Sequence, residues 1–304
     1  MPMSRFIAVL MALALLALPR ISSAAIAIVT TTPDLAAIAQ EVGGSHVEVK
    51  SLALHTQDPH VVDAKPHFAL HLAKADLLIA IGLELESAWL PTLQTGSRNG
   101  KIQRGAEGYL DCSTLVRVLE VPAEKVDRSQ GDVHPQGNPH YMLDPRQAAR
   151  VSKGIADRLA KLDPAHASDY RKNALGFIKK LGKASKAWET SLAKARGAKV
   201  IGYHKTISYF ADWVGLDVVE YVEPRPGIPP NPHHVAHVIE VAQQAGVKAI
   251  LQETYYPGKN TELIAKKAGA SLVKIYGGPD LKGGKTFIHH LDQVVKQLVK
   301  IYGK

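Results

Sequence analysis

Short apolar runs alternate with amphipathic segments along this chain, and the alternation occurs twice. AIAIVTT leads through Thr32-Pro33-Asp34, a helix-start signal, into LAAIAQEVGG. HVEVKSLA and ADLLIAIG (Ala75 to Gly82) follow, with a helical stretch around HFALHLAKA between them. The second half repeats the rhythm with AKVIGYH, LDVVEYV, VKAILQE and ASLVKIY, each separated by a helix-like segment. Strands that alternate with helices point to parallel βαβ units. Between the halves lie DPRQAARVSKGIADRLAKL and then DPAHASDYRKNALGFIKKLGKASKAWETSLAKA, apolar at helical spacing with Lys and Arg opposite. The second is long enough for one helix of roughly 30 residues, about 45 Å at 1.5 Å per residue. The expected fold is α/β: two lobes of parallel-type βαβ units joined by one long rigid connecting helix. Their cleft lies outside the C-terminal ends of the strands, where open sheets place ligands. The expected boundaries are 25–160 for the N-terminal lobe, 161–197 for the connecting helix and 198–304 for the C-terminal lobe.

The first residues read MPMSRFIAVLMALALLALPRISSA, with Arg5, an apolar run from Phe6 to Leu18, and Ser22 and Ala24 placed as a cleavage site. Residues 1–24 are therefore expected to be a cleaved signal peptide, since the apolar run is too short to span a membrane. The one cysteine, Cys112, rules out an intramolecular disulfide and leaves none at the cleavage site to carry a lipid. The expectation is a periplasmic protein that is not lipid-anchored. Loss of Arg5 and Arg20 takes the formal charge from +9 to +7, and no arginine-rich tract with interleaved aromatics suggests nucleic acid. No G-x-G-x-x-G, Walker or G-x-S-x-G loop is present, so nucleotide cofactors and esterase chemistry have no support.

Fourteen histidines stand out, and proline precedes histidine at Pro59-His60, Pro66-His67, Pro139-His140 and Pro232-His233. Proline fixes its own φ and holds the preceding residue extended, so an imidazole behind it is presented from stiff backbone. His60 and His140 fall in loops and His204 ends the strand AKVIGYH, all on what can be one cleft. His55, His134 and His166 read as solvated loop histidines, and His67 and His71 as one helix face. His233, His234 and His237 suit a weak surface metal site, and His289-His290 a helix surface.

DPH around His60, NPHYMLDP around His140 and YHKTISYFADWVGL around His204 resemble the periplasmic metal-binding subunits of zinc and manganese ABC importers. The resemblance continues through VEPRPGIPPNP and AKKAGASLV, covering nearly the whole mature chain. It implies one metal ion between two α/β lobes, held by His60, His140 and His204. A carboxylate is implied as fourth ligand; Asp280 in IYGGPDLKGG is favoured over Glu253, which ends VKAILQE and could instead orient a histidine N–H. The histidine- and acid-rich loop of many zinc-specific members is reduced here to RSQGDVHPQGNPH.

Three imidazoles and one carboxylate suit tetrahedral Zn²⁺, whereas Mn²⁺ prefers more oxygen. The resemblance thus implies a non-enzymatic carrier, a monomer delivering Zn²⁺, with Mn²⁺ less favoured, to an ABC permease. The alternative is a secreted zinc hydrolase in which a carboxylate acts as general base on a metal-bound water.

Overall fold

The computed structural model describes residues 25–126 and 131–303. The expected signal peptide, 1–24, lies outside the described residues.

The first lobe holds β1 (Ile26–Thr30), α1 (Pro33–Gly43), β2 (Val47–Ser51), α2 (Pro66–Lys74), β3 (Leu77–Ala80), α3 (Leu90–Gly96) and β4 (Tyr109–Asp111). The strands form one parallel sheet in the order β2-β1-β3-β4. The second lobe holds β5 (Lys199–Gly202), α6 (Ser208–Val214), β6 (Asp217–Tyr221), α7 (Pro232–Ala245), β7 (Ala249–Glu253), α8 (Gly258–Ala268), β8 (Ser271–Ile275) and α9 (Phe287–Tyr302). Its parallel sheet has the matching order β6-β5-β7-β8. Central strands β3 and β7 are buried along their whole length, as sheets covered by helices on both faces require, while edge strand β2 alternates. The two-lobed, parallel α/β expectation therefore holds. Strand β4 was not expected; three residues are too few to show a period.

Between the sheets run α4 (Pro145–Leu162) and α5 (Ala167–Ser191). Asp144 caps α4, its side chain accepting from the N–H of Arg146, with Pro145 at the first turn where no donor is missed. Helix α5 has 25 residues, about 37 Å at 1.5 Å per residue, with short 3₁₀ turns at Pro164–His166 and Ala193–Ala195 beyond its ends. Tyr170, Ala174, Phe177, Leu181 and Trp188 form its buried stripe. These side chains belong to one continuous core that includes Ile28 and Leu35 from the first lobe and Val200, Leu251 and Leu291 from the second. Smaller apolar clusters fill the outer side of each sheet. Among the described residues, no helix is long and apolar enough to cross a membrane.

Candidate metal centre

His60 and His140 are presented by the same device. In Asp58-Pro59-His60 the Asp58 carboxylate accepts the backbone N–H of His60 at 2.9 Å, and in Asn138-Pro139-His140 the Asn138 side-chain Oδ1 accepts that of His140 at 2.8 Å. Each is an Asx turn stiffened by proline. Trp89 donates to the carbonyl of Pro59, Tyr209 to that of Asn138, and Asn138 donates to Lys205 O across the cleft. His204 is delivered differently, two residues past the end of β5, where a 3₁₀ turn begins.

These turns bring the three imidazoles together in the interlobe cleft, with one nitrogen from each within 4.8 Å of the others. Their ring centroids are 5.0, 5.1 and 5.3 Å apart. His60, His140 and His204 are 1%, 9% and 2% exposed. Burial, with the neighbouring imidazoles adding to it, holds His140 well below the usual histidine range, so the ring is neutral and its lone pair available. His60 Nδ1 lies 2.7 Å from Asp58 Oδ1, and His204 Nδ1 lies 2.7 Å from Glu223 Oε2. Burial alone would raise the Asp58 carboxyl, but its hydrogen bonds and charge interaction with His60 hold it below the usual range. It is an ionised acceptor that fixes the Nδ1–H tautomer and leaves Nε2 free to face the other imidazoles.

Neither carboxylate singled out in the sequence meets the trio in this conformation. Asp280 is 41% exposed, accepts the N–H of Gly283, and stands 3.9 Å from His55 Nδ1, so a local turn and a surface imidazole occupy it. Glu253 is buried at the end of β7 with Thr206 beside it, and burial pushes it up to about 8. It lines a cavity beside His140 together with Thr32, Asp34, Thr206 and His290. Orienting partners for His60 and His204 are instead Asp58 and Glu223, whose signal was present in DPH and VEPRPG.

Two histidine expectations need correction. His290 is a buried side chain on the inner face of α9, not a helix surface, because the stripe Phe287, His290, Leu291, Val294 faces the core. His134 is half-buried, not solvated: its Nδ1 is 2.9 Å from Leu83 O and its Nε2 3.3 Å from His60 Nε2. His67 and His71 do share a face of α2, and Pro66 and Pro232 open helices. His234 and His237 are separately engaged by Tyr221 O and Glu220 on the surface of α7.

Residues 28–301 match the family described as the periplasmic component A of the zinc-uptake complex. The chain belongs to this family. It is that of periplasmic metal-binding substrate-binding proteins of ABC importers, which work with a membrane permease. The chain is 24% identical to the iron-binding protein YfeA of Yersinia pestis over 91% of its own length and 86% of the relative's. It is 22% identical to the manganese ABC transporter substrate-binding lipoprotein PsaA of Streptococcus pneumoniae, over 87% and 84% respectively. A crystal structure of ZnuA superposes with a TM-score of 0.77 at 24% identity, covering 91% of this chain and 99% of that one. Zinc, iron and manganese all occur among these names, so the family establishes metal binding and leaves the choice of ion to the donors. Nothing in the comparisons supports the hydrolase alternative.

Proposed function

We propose that the chain is a monomeric, freely diffusing periplasmic carrier that captures one Zn²⁺ between its lobes and delivers it to an ABC permease. The observation that carries this reading is the convergence of His60, His140 and His204, buried and within 4.8 Å of one another. Two of the rings are held by carboxylates in the tautomer that frees Nε2. A set dominated by neutral imidazole favours Zn²⁺ over Mn²⁺, which seeks carboxylate and carbonyl oxygen. Asp280 enters the coordination sphere only if the turn through Gly283 swings inward, and Glu253 only by crossing from its own cavity. Capture is the replacement of water by imidazole, and acid opposes it because each ligand histidine must stay neutral.

The test is calorimetric titration of the untagged, metal-stripped mature chain with Zn²⁺ and Mn²⁺, alongside His60→Ala, His140→Ala, His204→Ala, Asp280→Ala and Glu253→Ala. The expected result is one tight Zn²⁺ site that each histidine substitution removes. Stoichiometric tight binding in all three histidine variants would place the ion elsewhere.

A further inference from the structure

The strongest unexplained contact in the cleft is the 3.3 Å approach of His134 Nε2 to His60 Nε2. Each ring's other nitrogen faces a group that can only accept: the Asp58 carboxylate for His60 and the Leu83 carbonyl for His134. Both Nδ1 atoms therefore carry the hydrogen, and in neutral rings both Nε2 atoms present lone pairs to each other. Two lone pairs at hydrogen-bond distance repel unless a proton or a cation lies between them. His204 and His140 also approach Nε2 to Nε2 at 3.3 Å.

These two contacts share no residue, as opposite edges of a tetrahedron do, but only His60, His140 and His204 bring one nitrogen each within 4.8 Å of one another, so His134 joins a common ion by moving inward. A tetrahedral ion with metal–nitrogen bonds of about 2.0–2.1 Å has edges of about 3.3–3.4 Å, which both contacts match. The His134 ring is a little outside the trio, with centroids 5.4 Å from His60 and 6.0 Å from His140.

The placement of His134 is built. Leu83 and Glu84 have φ of 51° and 64°, the left-handed region that side chains avoid, and this turn is what aims the Leu83 carbonyl at His134. Buried Glu86 fastens the turn by accepting from Ile81 N, Gly82 N and Thr31 Oγ. On the far side, the N–H of Asp132 donates to Pro226 O, and the N–H of Gly227 donates to Glu223, the carboxylate that orients His204.

We propose that His134 is a fourth imidazole donor to the captured ion, making the site all-nitrogen and setting its preference for Zn²⁺ over Mn²⁺. This rests on the reading of His60, His140 and His204 as the metal centre.

The test is X-ray absorption at the zinc edge on the mature chain loaded with one equivalent of Zn²⁺, with a Zn²⁺/Mn²⁺ competition titration beside it. The proposal expects four imidazoles in the wild type and three in His134→Ala and His134→Gln. It also expects Zn²⁺ affinity to fall about ten-fold or more, at least what loss of an outer-shell partner causes, and selectivity over Mn²⁺ to narrow. Asp280→Ala should leave four imidazoles. Thermal unfolding of the metal-free variants checks that the fold is retained. The proposal is overturned by three imidazoles in the wild type, or by unchanged donor count and selectivity in both His134 variants while His140→Ala abolishes binding. Wild-type binding by His140→Ala would instead remove the metal centre on which the proposal stands.

Discussion

Glu223 and His204 meet through a 2.7 Å contact between Oε2 and Nδ1, with both side chains buried. The same carboxylate accepts the N–H of Gly227, so it sets the tautomer of the His204 ring and closes the turn beside the cleft. Glu223→Gln keeps the shape and removes the charge that favours the Nδ1–H tautomer. It should weaken Zn²⁺ binding about 10–100-fold, the range for such partners. Competition with a chelator of known affinity measures this, and an unchanged constant would mean that His204 needs no carboxylate.

Stability of the metal-free chain should fall as pH rises from 6.5 to 8. Buried Asp34 and Glu253 keep their protons up to about 7 and about 8 when folded, but lose them near 3.8 and 4.5 when unfolded. The native state therefore binds more protons between those limits, and its advantage shrinks with rising pH, by up to about 1.4 kcal/mol per unit for each group. Buried His290, pushed down to about 4, works oppositely, because its unfolded form takes a proton below 6.5 that the folded form refuses. His140 acts in the same direction as His290, leaving the carboxyls alone above 6.5. Urea midpoints across the range give the slope. Glu253→Gln should flatten it, and a midpoint that climbs towards pH 8 would contradict the account.

Gly82 is required at the turn that presents the Leu83 carbonyl. Its φ is +84°, and a Cβ there would overlap the Asp111 carboxylate. Gly82→Ala should cost at least about 2 kcal/mol from backbone strain and overpacking. It should also weaken Zn²⁺ binding by misplacing the acceptor for His134. Denaturant titration and calorimetry read the two effects, and a variant as stable as the parent would show that the turn relaxes freely.

Cys112 is fully buried, and burial raises its thiol well above the ordinary value. Modification by a thiol reagent should be at least about a thousand-fold slower in the native chain than in denaturant, because it requires global opening. Rapid native labelling would reveal a local opening near β4.

Most of the fold was legible because parallel strands buried on both faces are rich in continuous apolar runs, as LLIA and the AIL that opens AILQE are. Strand β4 was not, since Tyr109–Asp111 pairs only with β3 and has no pattern of its own. In the site, Pro-His was a mixed signal, since Asn precedes both Pro139 and Pro232, and what separates the cases is which N–H that residue accepts. Asp58 and Asn138 accept the N–H two residues on and aim a ring into the cleft, whereas Asn231 accepts the N–H of His234 and caps a helix. His134 follows no such turn. Its position depends on a carbonyl fifty-one residues away, a long-range contact that no local spacing encodes. Asp280 failed in the other direction: its place after the last strand suggested the cleft, but GGPDLKGG folds back on its own side chain.

The core that passes without a break from β1 through α5 to β7 makes the division of labour between the lobes chemical, not mechanical. Each half supplies donors and neither is a free body that can swing, because opening the cleft widely would tear Phe177 and Trp188 out of shared packing, at about 3–5 kcal/mol per aromatic side chain. On the proposed reading, the cargo would be discriminated by the donors it meets and not by a closing motion it triggers. What a permease can sense of the loaded state is then confined to the loops at the rim, those that carry His134, His204 and Asp280.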